Sequence, residues 1–224
     1  MGPGRALRRS RDSTLAIGPL LAALEVLERL GADVAAVLAE ARMTRKQFES
    51  PDNVISYDAM GRLFARGVAH TGCQHLGLLV GQPGGLHSLG LVGLLVRCSR
   101  DVGTALRSLE RHFHLRVRGA ALVLDVDGSS TRMGHVVHDR VEATEQINDG
   151  ALAEVFNVLR VLCGARWRPT EIQFARRVPA DLRLLRGKSL RTSEAALTGE
   201  SLPVEKHHEA LPADTRLADR RNMA

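Results

Sequence analysis

Aromatic residues are scarce in this 224-residue chain, which has five Phe, one Tyr and one Trp. The core must therefore be built mainly from Leu, Val and Ala, and a stacking platform for single-stranded nucleic acid is excluded for want of rings. Cysteine is scarce too. Cys73, Cys98 and Cys163 are odd in number, far apart and without C-x-x-C spacing, so the sequence encodes neither a disulfide framework nor a zinc ribbon. In apolar surroundings they read as reduced core thiols of a cytoplasmic protein. No apolar run approaches the roughly 20 residues that cross a bilayer; the longest, Leu89 to Val96, has a glycine inside it. Behind the N-terminal arginines there is no export signal, because Glu25 and Glu28 interrupt the apolar stretch from Ile17 to Leu30. Neither export nor membrane insertion is expected.

What the chain does have is a formal charge of +6. That excess suits a nucleic-acid partner, yet much of it is arginine spread along the chain, with one small cluster at Arg5, Arg8, Arg9 and Arg11. The cluster reads as a solvated arm over residues 1–14 rather than as a DNA grip.

Hydrophobic spacing outlines the elements. Leu20, Leu24, Leu27 and Leu30 recur at helical intervals up to Gly31, a natural stop, and Val34, Val37, Leu38 and Ala41 continue as a second short helix. Two helices over a core describe this pair better than a helix-turn-helix, since the second carries Glu40 and little basic equipment for a groove. Ser56 is placed to cap a helix striped by Tyr57, Met60, Leu63, Phe64 and Val68, ending near Gly72. Ser99 or Asp101 caps the next, with Val102, Ala105, Leu106, Leu109 and Phe113 inward. Alternation from Ala121 to Val126, the turn residues Asp127-Gly128 and the run Met133 to Val137 make a hairpin. A long helix is expected from Glu142 to Leu162, stopped by Gly164, and Glu171 to Phe174 reads as a third strand. The expected fold is α+β: a helix-rich N-terminal part, then a small antiparallel sheet packed against a long helix, then a partly irregular C-terminal tail.

Few residues carry chemistry of their own. Gly81, Gly84 and Gly85 around Pro83 follow no strand and precede no lysine, so they form a turn and not a phosphate cradle. Ser88 and Ser99 lack a nucleophile elbow. His112 with His114, or His135 with His138, finds no cysteine or carboxylate to complete a metal-ligand pattern. Neither a metal nor a cofactor is expected. Pockets for small molecules are mostly apolar with a few oriented polar groups. The candidates are His112, His114 and Arg116, whose alternate spacing could project from one face, with His135 across on the hairpin.

Two resemblances bear on function. The words from Thr71 to Gly81 (TGCQHLGLLVG), from Leu89 to Gly93 (LGLVG) and from Trp167 to Phe174 (WRPTEIQF) occur in this order and register. Together they resemble the arabinose-binding-type N-terminal domain of AraC-family transcription regulators, over residues 15–178. The resemblance implies a cytoplasmic domain that binds a small effector of unknown identity. It also implies homodimers, or mixed dimers with an intact relative. The helix-turn-helix units of such regulators are not among these residues, so no direct DNA binding is expected and the chain reads as a truncated regulator. The family's closing strand is missing as well; Ser189 to Thr192 could supply an edge strand in its place.

Residues 179–224 are similar to something else. Val178 to Leu185, then Ala195 to Ser201 (AALTGES) and Pro203 to Lys206 (PVEK), resemble the actuator domain of P-type cation-transporting ATPases. In those pumps the loop corresponding to Thr198, Gly199, Glu200 and Ser201 docks on the phosphorylated site, where the glutamate orients the hydrolytic water. That chemistry needs an aspartyl phosphate and its metal ion, and this sequence has no Asp-Lys-Thr-Gly motif, so the loop is orphaned and no enzyme activity is expected. Pro179-Ala180-Asp181 serves both families, which suggests recombination at that stretch. The alternatives to a truncated regulator are a pump fragment without activity and a non-functional fusion remnant.

Overall fold

In the computed structural model, residues 13–128, 130–138, 140–174, 190–192 and 204–206 are described. The chain divides into two units, Met1–Trp167 and Arg168–Ala224. In the first unit, strand β1 (Thr14–Ala16) pairs antiparallel with β2 (Val54–Ser56), bringing Leu15 opposite Ile55. Both side chains are buried, and Thr14, placed in the arm by the sequence pattern, already belongs to the sheet.

Helix α1 (Ala23–Arg29) is shorter than the expected 20–30 span. A 3-10 turn at Gly18–Leu20 precedes it, and this tighter winding shifts the helical phase. The buried stripe becomes Ala23, Val26 and Leu27, and Leu30 is left exposed. Helix α2 (Val34–Ala41) starts at Asp33, whose carboxylate accepts from the backbone N–H groups of Ala35 (2.9 Å) and Ala36 (3.2 Å). It buries Val34, Val37, Leu38 and Ala41, so its apolar face is spent on the core.

Ser56 caps helix α3 (Tyr57–Thr71) as expected, its Oγ accepting from the Ala59 N–H at 3.1 Å. Gly72 closes the helix at φ +69°, a left-handed conformation that costs glycine little. Removing the cap in Ser56→Ala should lower stability by about 1 kcal/mol, measured as a shift in urea midpoint at unchanged slope. Beyond it lie α4 (Leu76–Gly81), α5 (Leu91–Arg97) and α6 (Val102–His112). Of the two candidate caps for α6, Asp101 is the one used, accepting from the Thr104 N–H at 2.7 Å.

Strands β3 (Ala120–Asp127) and β4 (Ser130–Val137) form the expected hairpin, with Ala120 opposite Val137 and Asp127 opposite Ser130 around Gly128 at φ +51°. Helix α7 (Thr144–Cys163) is the long helix, ended by Gly164 at φ +96°. It crosses α4 at very close range, Gly77 and Gly81 of α4 facing Gln146 and Gly150 of α7. The core has two clusters. One joins β1, β2 and α1 to α4; the other joins Leu86, Leu89, Val92, Val96, Ala105, Leu109, Leu122 and Val158, and Phe113 packs against both. No helix among the described residues is long and apolar enough to cross a membrane.

Three expectations are corrected. Cys98 and Cys163 are exposed and Cys73 is only half-buried, all three as free thiols. Cys98 and Cys163 fall at helix ends, where a side chain clears the core whatever its neighbours in sequence. Residues 171–174 form no strand; β-branched composition favours a pleated surface only where a partner completes the ladder, and here Gln173 donates instead to Glu171 (2.7 Å). Finally, 190–192 does not join β3 and β4. It is β5 (Leu190–Thr192), paired antiparallel with β6 (Val204–Lys206) in a two-stranded sheet of its own.

Candidate functional site

Where the two clusters of the first unit meet, they leave a narrow cavity of about 50 Å³. Leu15, Leu20, Met60, Phe64, Val80, Leu89, Phe113, Val117, Ile147 and Ala151 make most of its wall. Three polar residues line it as well: Tyr57, His135 and Glu154. This is a mostly apolar pocket with a few placed polar groups, the usual form of a small-molecule site.

Glu154 reaches the cavity from α7 and is held by the loop after α4. Ser88 Oγ lies 2.6 Å from Glu154 Oε1 and 2.6 Å from the Gly85 carbonyl oxygen, and it accepts from the Gly85 N–H at 3.2 Å. A hydroxyl has one proton and cannot donate to both oxygens. Every contact is satisfied only if Ser88 donates to Gly85 while a protonated Glu154 donates to Ser88. Burial acts in the same direction, pushing the Glu154 carboxyl up to about 7 against a smaller opposing effect of the Ser88 bond. Gly84 lies close against it: a Cβ there would come within 2.4 to 2.9 Å of the Glu154 side chain, which would have to shift.

His135 sits on β4, edge-on to Phe113 with ring centroids 6.2 Å apart. Its Nδ1 is 2.9 Å from Asn148 Oδ1. The carbonyl can only accept, so Nδ1 carries the proton and Nε2 is left as an acceptor. Burial depresses the imidazole pKa, keeping the ring neutral. The Tyr57 phenol is likewise held neutral, its pKa raised by burial. Among the described residues the lining includes no lysine or arginine.

Of the four candidates from sequence, the structure brings His135 to this cavity. His112, His114 and Arg116 do not line it. The alternate spacing of these three would share a face only in a strand, and here α6 runs into a 3-10 turn at Phe113–Leu115, where residues two apart point in different directions. His112 Nδ1 is bonded to the Ser108 carbonyl (2.8 Å) and His114 Nδ1 to the Arg111 carbonyl (2.9 Å). Arg116 ties the β1 end of the unit to the loop before β2, donating to Asp52 (2.5 Å) and to the Pro51 carbonyl (3.0 Å). Thr198, Gly199, Glu200 and Ser201 lie outside the described residues. Among the described residues no three of His, Cys, Asp and Glu gather as a metal site.

Sequence reasoning missed Glu154, and its signal was there. Ile147, Ala151, Glu154 and Val158 fall on one face of α7 at helical intervals, and an acid within such a stripe is either partnered or functional. Ser88 was weighed only as a nucleophile, although its place beside Gly84 and Gly85 makes it a loop latch.

An α+β unit enclosing an apolar cavity with a few polar groups defines a small-molecule-binding domain. Over residues 31–210 the sequence matches the arabinose-binding domain of AraC transcription regulators, N-terminal, and the chain belongs to that family. The match runs past residue 178, where the resemblance ended, into the segment with the ATPase-like signature. A second set of relatives is of another kind. The chain is 60% identical over 48 residues to the cation-transporting ATPase pma1 of Synechocystis. It is 60% identical over 48 residues to the probable cation-transporting ATPase F of Mycobacterium tuberculosis, and 48% identical over 46 residues to calcium-transporting ATPase 1 of Lactococcus lactis. These matches cover 20–21% of this chain and 5% of each ATPase. The chain thus spans about 5% of the length of the curated relatives it matches. Both resemblances drawn from the sequence therefore stand.

Proposed function

We propose that this chain is the sensing and dimerisation part of an AraC-type regulator, which takes up a small effector in the cavity between Tyr57, His135 and Glu154. The observation that carries the reading is the coincidence of the family match with an apolar cavity whose polar groups are few and individually held. Regulation would act through effector capture and through dimers, formed with a second copy or with a relative, in the cytoplasm. The test is thermal melting of the full chain against amino acids, sugars, fatty acids and short amines. A ligand at 100 times its Kd stabilises the folded state by about 2.7 kcal/mol, so at least one class should raise the melting temperature by several degrees. A flat result across all of them would reject the reading.

A second reading rests on the identity to cation pumps: the segment 179–224 is an actuator-like fragment, not an independent domain, appended to the sensing domain. Glu200 could orient water only beside an aspartyl phosphate and its metal ion, and these 224 residues carry no Asp-Lys-Thr-Gly motif. Wild type and Glu200→Gln should hydrolyse acetyl phosphate at the same background rate. A rate that falls at least tenfold in the variant would make the loop a working one.

A further inference from the structure

The polar groups of the cavity are unequal in what they offer a ligand, and this inequality selects its chemistry. The inference rests on the effector reading above. His135 is neutral with Nδ1 committed to Asn148, so it presents an acceptor. Glu154 is an acid whose one hydrogen bond among the described residues is to Ser88, through Oε1. Among the described residues no lysine or arginine lines the space. A carboxylate-headed ligand would find no cation there and would meet a second acid. A sugar would leave most of its hydroxyls against leucine, valine and phenylalanine, each unmet hydroxyl costing of the order of 1–3 kcal/mol.

A cation meets the opposite situation. It supplies the counter-charge that would hold Glu154 once ionised, and hydrogen bonds between charged groups are the strong ones in such surroundings. Volume sets the rest of the molecule. One water-sized sphere takes roughly 10–15 Å³ on this measure, so about 50 Å³ accommodates a slender chain of a few carbons and not a bulky ring.

We propose that the cavity takes a short unbranched alkyl amine, bound as its ammonium ion by Glu154, with the alkyl chain along the wall formed by Leu20, Phe64, Val80 and Ile147. On binding, the carboxyl proton leaves for solvent while the ammonium keeps its own, and Ser88 is free to donate to the ionised Glu154.

Calorimetric titration of the full chain at pH 7 with n-butylamine, butan-1-ol and butanoate tests this. The amine should bind at least about tenfold more tightly than the alcohol, the factor that about 1.4 kcal/mol confers, and butanoate most weakly. Glu154→Gln should abolish the preference for the amine while leaving the alcohol bound. If that variant does not fold, the wild type still decides: repeating the titration in buffers of different ionisation enthalpy should reveal net proton release with the amine and none with the alcohol. Alcohol or butanoate binding as tightly as the amine, a preference surviving in Glu154→Gln, or binding without proton release would each overturn the amine assignment and leave the effector reading intact. Binding by none of the three, together with a flat melting panel, would remove both.

Discussion

Gly77→Val should destabilise the protein by about 3 kcal/mol or more, at the upper end of what overpacking costs, and should abolish ligand binding with it. A Cβ on Gly77 would lie 2.0 Å from the Gln146 carbonyl oxygen and 3.0 Å from the Gln146 Cα. Those are backbone atoms of α7, so no rotamer change relieves the clash and the two helices must separate. Separation breaks a latch. Gln146 is buried, its Oε1 accepting from the Gly77 N–H at 2.8 Å and its Nε2 donating to the Gln74 carbonyl at 2.7 Å. Leaving such groups buried and unpaired costs about 1–3 kcal/mol each. The effect reaches the cavity because the same two helices build it, α4 through Val80 and Gly81, α7 through Ile147, Gly150, Ala151 and Glu154. Gly134→Ala is the control: nothing lies within 4 Å of a Cβ there, and its cost should stay within about 0.5 kcal/mol. Urea denaturation of the three proteins measures both. A Gly77 variant as stable as the control would mean that α4 and α7 are not in contact in solution.

The helix crossing also explains what the sequence could and could not disclose. Gly77 and Gly81 were legible as members of a family word, but no periodicity says that two glycines four apart will meet Gln146 and Gly150 across seventy residues. Local signals fared well. The caps at Ser56 and Asp101, the Asp127-Gly128 hairpin and the stop at Gly164 each follow from backbone chemistry within a few residues. Signals that depend on partners fared worse. Residues 171–174 have strand composition without a strand, and 190–192 finds its partner in 204–206. The exposed thiols of Cys98 and Cys163 belong with these, since burial at a helix end depends on what covers it.

The site followed the same division. His135 was reachable from the hairpin pattern, because alternation along a strand fixes which residues share a face. Its companions come from loops and from the far side of α7. Ser88 and Gly84 matter through one another and through Glu154, a relation between residues more than sixty positions apart. An acid on an apolar helical face was the one local clue, and it gains meaning only once the cavity is known.

That acid gives the second large effect. In the unfolded chain Glu154 titrates near its ordinary value of 4.5, and in the folded protein near 7. Below pH 4.5 both states are protonated and the group contributes nothing. Between the two values the folded state binds the extra proton, so stability falls as pH rises. Above 7 the loss is complete, at about 3 kcal/mol for a difference of that size. Among the other titratable groups lining the cavity, Tyr57 stays neutral throughout. His135 acts in the opposite sense: its folded pKa is depressed, so its contribution is present above the unfolded value of 6.5 and is lost as pH falls. The wild-type profile is thus a sum, and the difference from Glu154→Gln isolates the carboxyl. An amide NH₂ can donate to Ser88 as the protonated acid does, so the variant keeps the network and lacks the charge. It should be more stable than wild type at pH 8 by up to about 3 kcal/mol, with the advantage vanishing towards pH 5. Urea midpoints at pH 5, 6, 7 and 8 settle it. A constant difference across that range would mean that Glu154 is ionised in the folded protein, and Ser88 would then be donating to it rather than to Gly85.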